Sequence, residues 1–368
     1  MAETSFSNLS AKRRRDALAV AEEQTGRPAH LLEKDVLVVQ TMAILFNESF
    51  GSDLVLKGGT SLSKAYQVIR RFSEDIDVTY DICTIAPDLV SQPGLDTSGY
   101  DPLPSTRSQA KRWSKTINSR LAAWIEEKAA PLIKEGMESE GFDVGVQVEA
   151  HRLYVAYKPA FDGHSFVKPQ VMVDFGARSS GKPNRNCEIV CDAAAGLPGV
   201  ALPTARVAVM SAQRTFWEKA TAVHVFCLQE RLRGDRYARH WCDLVELDRS
   251  GYGALSGQDR VTAMAVARHK YMFFRENDRD GNPVDYLDAV SGNLSLIPVG
   301  DARAALASDY ERMLASGMLL DVGESFEQLL EKCADLEQRT NKLAMKDSYD
   351  FSESVKNPYS PAPPATRS

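Results

Sequence analysis

Asp75 and Asp77, in "FSEDIDVTYD", are two carboxylates separated by a single apolar residue. The alternation of apolar and polar residues there reads as a strand, on which residues two apart share a face, so the two acids project together. Carboxylates converging on one face repel unless a cation neutralises them, and hard oxygen donors suit Mg²⁺. Shortly upstream, Gly58 and Gly59 follow a short apolar strand, residues 54–57, and precede Thr60 and Ser61. Paired glycines let a backbone come close to a phosphate. A helix starting at Thr60 or Ser61, either of which is a natural N-cap, would add free N–H groups and a positive dipole end. Ser61 could add a hydroxyl contact to a terminal phosphate, and Lys57 and Lys64 are further candidates for phosphate contact. Metal-assisted phosphoryl transfer commonly uses more than two acids, so a third is expected. Asp174 in "VMVDFG" is the best candidate, being one acid on an otherwise apolar strand, which is costly unless it is paired or metal-bound. Separately, "EDID" also suits a solvated strand end and Asp174 a capping role. Together with the glycines they point to magnesium-assisted phosphoryl transfer on a polyphosphate.

Positioning these groups needs a mixed scaffold. Residues 13–48 carry a helical apolar face through Leu31, Leu32, Val36, Val39 and Met42, and Leu62, Ala65, Tyr66 and Ile69 recur at helical spacing after the glycines. A loop over 87–105 leads to an amphipathic helix over about 106–136. Alternating segments at 142–149, 152–159 and 170–175 are strands, and strand and loop continue to about 207. From Ser211 helical patterns dominate, at roughly 211–229, 236–250, 257–274, 300–317 and 325–345. The expected fold class is therefore α+β: a mixed-sheet unit with an N-terminal helix over 1–208, a helical unit over 209–345, and a polar, proline-rich flexible tail over 346–368.

The 368 residues are 43% hydrophobic and 26% charged, an ordinary globular balance. No apolar run approaches the roughly 20 residues of a membrane span, and the N-terminus lacks the order of a secretory signal; a cytoplasmic protein without a membrane partner is expected. Six cysteines show no zinc-like spacing, and Cys187 and Cys191 read as reduced, structural thiols on a strand. A net charge of −6 leaves polyanion binding to local patches. One such patch is 107–120, with five cations and no acid, where Arg107, Lys111, Arg112 and Lys115 are candidate RNA contacts and a solvated helix face is the alternative. In "RHKYMFFR", residues 268–275, the aromatics could stack on a base, but Tyr271, Phe273 and Phe274 are expected in the core.

A strand, a Gly-Gly turn, a helix, Asp-x-Asp on a strand and a later lone Asp form the polymerase-β-type nucleotidyltransferase pattern. Within it, "KGGTSLSKAY" and "RFSEDID" resemble the AbiEii/AbiGii toxin family, and "RTFWEKATAVH" (214–224) and "RYARHWCDLVEL" (236–247) look like its later motifs. The resemblance runs from about Glu33 to His269. It implies that Gly58, Gly59, Thr60 and Ser61 cradle the nucleotide phosphates, that Asp75 and Asp77 bind Mg²⁺ with Asp174 as third acid or base, that Lys219 reaches the triphosphate, and that Asp243 sits across the cleft from it. For Lys219 an ordinary surface position is the alternative, and for Asp243 an intrahelical ion pair with Arg239. The chain departs from MenT-like members, which have an arginine near the position of Ser63-Lys64. The resemblance also implies the toxin half of a toxin–antitoxin or phage-abortive-infection pair, moving NMP from an NTP onto RNA such as a tRNA 3′ end, with a cognate antitoxin. A protein or small-molecule acceptor, or a nucleotide-binding module that sequesters a partner, are the rival readings.

Overall fold

Seven strands build one mixed sheet: β1 (Leu54–Lys57), β2 (Asp75–Tyr80), β3 (Val144–Glu149), β4 (Arg152–Tyr157), β5 (Gln170–Gly176), β6 (Asn184–Val190) and β7 (Thr204–Met210). Their order across the sheet is β3-β4-β5-β2-β1-β7-β6. β2 runs parallel to β5, and β1 parallel to β7, while the other pairings are antiparallel. The structure is a computed structural model that describes residues 4–356 apart from 70, 98, 163–166, 232–234, 316–318 and 320–323.

Leu54 and Leu56 of β1 and Ile76 and Val78 of β2 are buried, which seats the two central strands firmly. The single helix expected over 13–48 is two, α1 (Ala11–Thr25) and α2 (Ala29–Phe46). Gly26, at φ +70°, closes α1 in the left-handed conformation that glycine tolerates, and Pro28 then starts a new direction. α2 packs across β7, β5 and β2. After the loop, α3 (Arg107–Trp124) passes through a π-helical stretch, Ile125–Ala129, into α4 (Ala130–Ser139).

The C-terminal half is helical: α5 (Ala212–Gln229), α6 (Ala238–Arg249), α7 (Arg260–Phe273), α8 (Gly300–Ala315) and α9 (Phe326–Lys356). α9 runs past the end expected at 345, and the rest of the expected tail, 357–368, lies outside the described residues. Two apolar clusters divide the interior. One gathers the sheet, α1, α2, α3 and α4; the other gathers α5 to α9 together with Leu62, Val68 and Ile69 from the segment after the Gly-Gly turn. That segment thereby ties the turn to the helical half. Trp217 on α5 and Trp241 on α6 are fully buried, and their indole N–H groups donate to Ser256 O (3.0 Å) and Leu296 O (2.7 Å). Residues two apart on a helix point to roughly opposite sides. Anchoring each tryptophan in the core therefore turns Lys219 and Asp243, two residues further on, the other way, where they meet each other and Arg71 of the segment before β2. No helix among the described residues is long and apolar enough to cross a membrane, and all six cysteines are free thiols.

Candidate active site

Strand register places four of the sheet's charges in a single row. Lys57 of β1 lies opposite Asp77 of β2, Asp77 opposite Asp174 of β5, and Asp174 opposite Arg152 of β4. Residues opposite one another on neighbouring strands share a face, so two carboxylates stand side by side with a cation at each end. Asp174 is held by Arg152 Nε at 2.9 Å at the rim of the site. Asp75, on the same face two residues before Asp77, completes the acidic set. Glu74 is not part of it, because it is buried in ion pairs with Lys34 of α2 and with Arg236.

Burial and the neighbouring carboxylates of Glu74 and Asp77 push Asp75 up to about 6. Burial and Asp174 likewise raise Asp77, only partly offset by Lys57, Arg239 and Lys219. The protein has thus brought together negative charge that its own cations do not fully neutralise. This fits a divalent cation on Asp75 and Asp77, whose hard oxygen donors are of the right kind. Among the described residues, no three His, Cys, Asp or Glu side chains gather in a way that could hold a metal ion, and Asp174 is engaged with Arg152 instead.

The glycines are required by this crowding. Gly58 has φ +71°, and a Cβ there would lie 2.1 Å from Asp77 Oδ2. At Gly59 a Cβ would lie 2.5 Å from Arg71 Nη2. The turn therefore lies directly against the acids. The helix after it begins at Gly58, not at an N-cap Thr60 or Ser61. Both hydroxyls turn inward: Thr60 Oγ1 bonds Asp75 O and Ser73 Oγ, and Ser61 Oγ donates to Gly58 O at 2.8 Å. Both side chains are fully buried, so the turn offers backbone to a phosphate, and the expected Ser61 hydroxyl contact is not made available. Nor does Lys64 face a phosphate as expected, since it lies in a buried ion cluster with Asp35 of α2 and Asp192, where two carboxylates satisfy its ammonium.

From the helical half, Lys219 reaches the site with 8% exposure, so it is not an ordinary surface lysine. Its Nζ lies 2.9 Å from Asp243 Oδ2. Asp243, at 0% exposure, does not face Lys219 across an open cleft and does not pair with Arg239. It receives two bonds from Arg71, Nε to Oδ1 at 2.7 Å and Nη2 to Oδ2 at 2.8 Å. Despite burial, Arg71 and Lys219 hold its carboxyl well below the usual carboxylate range. Asp243 is therefore a tether between the segment preceding β2 and α5. Arg71 was missed in the sequence, although its place in "RRFSEDID" next to the acids was the available signal.

Two adjoining cavities result. The first, of about 250 Å³, is lined by Lys57, Gly58, Gly59, Arg71, Asp75, Asp77, Lys219 and Arg239, with Ser73, Thr215, Glu218 and His240. The second, of about 490 Å³, shares Lys57, Asp77 and Glu218 with it and continues past Asp174, His151 and Lys270 to the aromatic Phe226, Phe274 and Tyr286. Against the upward push of burial, Lys57, Arg214 and Lys270 keep Glu218 ionised below its ordinary range. Burial lowers Lys270 to about 8, and its Nζ donates to Glu218 O at 2.8 Å. Phe273 is core as expected, but Tyr271 and Phe274 are 39% and 40% exposed, with the guanidinium groups of Arg107 and Arg178 lying over their rings at 4.0 and 4.1 Å. On α3, Lys111, Arg112 and Lys115 are exposed.

A cation-rich compartment joined at paired carboxylates to a larger, partly aromatic one suits a nucleotide. The solved structure of MenT4, a nucleotidyltransferase toxin from Mycobacterium tuberculosis H37Rv, is similar at a TM-score of 0.44 and 18% identity, covering 92% of this chain and 98% of that one. No curated protein matches the chain. Residues 41–332 match the family described as nucleotidyl transferase AbiEii toxin of type IV toxin–antitoxin systems. That match spans well over half of the chain, which accordingly belongs to the AbiEii nucleotidyltransferase toxins, enzymes of NTP-dependent nucleotidyl transfer with a cognate antitoxin.

Proposed function

We propose that the protein transfers NMP from an NTP to an RNA acceptor, a tRNA 3′ end, with Mg²⁺ held by Asp75 and Asp77. The observation that carries this reading is the convergence, in one cavity, of the Gly58-Gly59 backbone, the paired acids and the cations Lys57, Lys219 and Arg239. In this reading the triphosphate lies in the smaller compartment and the reacting α-phosphate sits near Asp77, where the two compartments join. Bound magnesium would neutralise charge on the triphosphate and on the departing pyrophosphate. Lys219 and Arg239 hold the phosphate oxygens, with Asp243 and Arg71 keeping Lys219 in place. Asp174, at the rim beside Asp77, takes the proton of the attacking hydroxyl once it leaves Arg152.

Several features support an RNA acceptor. Arg107, Lys111 and Lys115 recur at i, i+4 and i+8, forming one stripe along α3. The stripe starts over the exposed ring of Tyr271, and Asn118 further along bonds His151 at the rim of the larger cavity. Cations leading to exposed aromatic rings are what a single strand needs for its phosphates and bases. We also propose that 1–208 and 209–345 act as two units closing on the nucleotide, a division supported by the two apolar clusters, and that the protein works in the reducing cytoplasm, in keeping with its free thiols.

The test is incubation with each α-³²P-labelled NTP, Mg²⁺ and total tRNA, beside an Asp75→Ala/Asp77→Ala control. Label on RNA with the wild type alone is expected. Label on protein would replace the acceptor, and NTP binding without any transfer would favour a sequestering module.

A further inference from the structure

In the smaller cavity, two polar side chains lack a hydrogen-bond partner: Thr215 Oγ1 on α5 and His240 Nδ1 on α6. Both atoms are buried, and Thr215 as a residue is only 2% exposed. Elsewhere this protein satisfies the same groups. A helical threonine ordinarily donates to the carbonyl four residues back, and Thr25, Thr41 and Thr221 do so, to Ala21 O, Leu37 O and Trp217 O. Thr215 has Ser211 O at that position and does not use it. Among the histidines, His224 Nδ1 accepts from Ser295 N at 3.0 Å, and His269 Nε2 bonds Arg178 O at 2.8 Å.

Buried polar atoms in native folds are nearly always paired. Other buried atoms of this kind lie scattered through the described residues, but Thr215 and His240 come from different helices and line one cavity, which marks a place reserved for a ligand. We propose that Thr215 and His240 are positioning residues for the NTP, giving hydrogen bonds to its phosphate oxygens beside Lys219 and Arg239. This assignment rests on the nucleotidyltransferase reading of the site and adds to it the neutral half of the phosphate grip. Phosphate is the fitting ligand because the cavity that both residues line also carries the cations Lys57, Arg71, Lys219 and Arg239, beside the acids Asp75, Asp77 and Glu218, whereas the aromatic rings that would suit a base line the neighbouring cavity. Phosphate oxygens only accept hydrogen bonds. Thr215 can turn its O–H toward them, and a neutral imidazole protonated at Nδ1 donates as well. Burial and the charges of Lys219 and Arg239 keep that imidazole neutral. A neutral donor adds direction to the grip without adding a further positive charge to bury.

The two roles, structural and ligand-binding, predict opposite changes. Removing an unpaired hydroxyl should not harm the empty protein, and should harm binding. The probes are the α,β-methylene analogue of whichever NTP binds tightest, with Mg²⁺, and inorganic tripolyphosphate, titrated calorimetrically into wild type, Thr215→Val, His240→Leu and His240→Asn. The Asn amide can place a donor near the position of Nδ1. Thr215→Val and His240→Leu are each expected to weaken both probes about tenfold, one hydrogen bond's worth. The thermal midpoint of the free Thr215→Val protein should be unchanged or higher, and His240→Asn should recover most of the affinity. Unchanged affinity with a lowered midpoint would make both residues structural and overturn the proposal. Weakened analogue binding with intact tripolyphosphate binding would overturn the phosphate assignment in favour of the sugar. If the wild type itself bound neither probe, the nucleotide reading of the site would fall first, and this assignment with it.

Discussion

Asp243 separates two accounts of the site most sharply. A catalytic acid facing an open cleft could lose its charge with little effect on folding. A buried tether could not. Asp243 is 0% exposed, takes two bonds from Arg71 at 2.7 and 2.8 Å, and holds Lys219 at 2.9 Å. Replacing it by the isosteric Asn leaves two cations facing a neutral amide in the interior. Removing one partner of a buried pair costs about 3–5 kcal/mol, against a total stability on the order of 5–15 kcal/mol. Asp243→Asn is therefore expected to lower the urea midpoint of the free protein strongly. Nucleotidyl transfer, assayed well below the new thermal midpoint, should fall as well, because Lys219 is no longer held at the phosphate site. The double variant Arg71→Met/Asp243→Leu removes both charges of the bidentate pair together. It should regain part of the stability, because apolar replacements of buried pairs often do and only Lys219 is then left without its partner, without regaining activity. The reasoning fails if Asp243→Asn matches the wild type to within about 0.5 kcal/mol in urea while losing all transfer. The carboxylate would then be acting on the substrate itself.

Asp75→Asn should have the opposite sign on stability. A folded-state value raised to about 6 from 3.8 means the ionised form is disfavoured in the fold, so at pH 7 removing the charge should stabilise the free protein by up to about 3 kcal/mol while abolishing transfer; denaturation at pH 7 with an activity assay checks both. His224 is lowered to about 4 by burial, so the folded state resists its protonation. Stability is full above the unfolded value near 6.5 and declines as pH falls towards 4, by about 3 kcal/mol; His224→Asn, whose Oδ1 can still accept from Ser295 N, should flatten that decline in urea titrations at pH 7 and 4.5. Gly58→Ala adds both left-handed strain and a 2.1 Å encounter with Asp77, so it should remove activity. Gly26→Ala, with similar φ but open space, should cost only about 1–2 kcal/mol, and comparing the two by thermal denaturation and transfer separates strain from collision.

How much of the site is readable from sequence depends on the range of the interaction concerned. Period-two alternation placed Asp75 and Asp77 on one face of a strand, and strand propensity with an isolated acid singled out Asp174; these are local patterns, carried by backbone geometry alone. The Gly58-Gly59 turn was legible for the same reason, although the requirement for Gly58 comes from the Asp77 carboxylate pressed against it rather than from a phosphate. Helical spacing located α5 and α6 with Lys219 and Asp243 on them. What no local pattern could supply was register and partnership. The row Lys57–Asp77–Asp174–Arg152 exists only because β1, β2, β5 and β4 are neighbours in the sheet. Lys64 and Lys57 look alike in sequence as cations flanking the glycines, yet one is consumed by Asp35 and Asp192 and the other stands beside Asp77. Arg71 and Asp243 lie far apart along the chain and meet because the segment after the turn packs into the helical core. The sequence by itself determined which chemical groups the chain carries and the faces they occupy on each element. Only the tertiary structure decided which of them share a cavity and which are neutralised elsewhere, because charge pairing and burial are set by contacts between segments that local propensity does not encode.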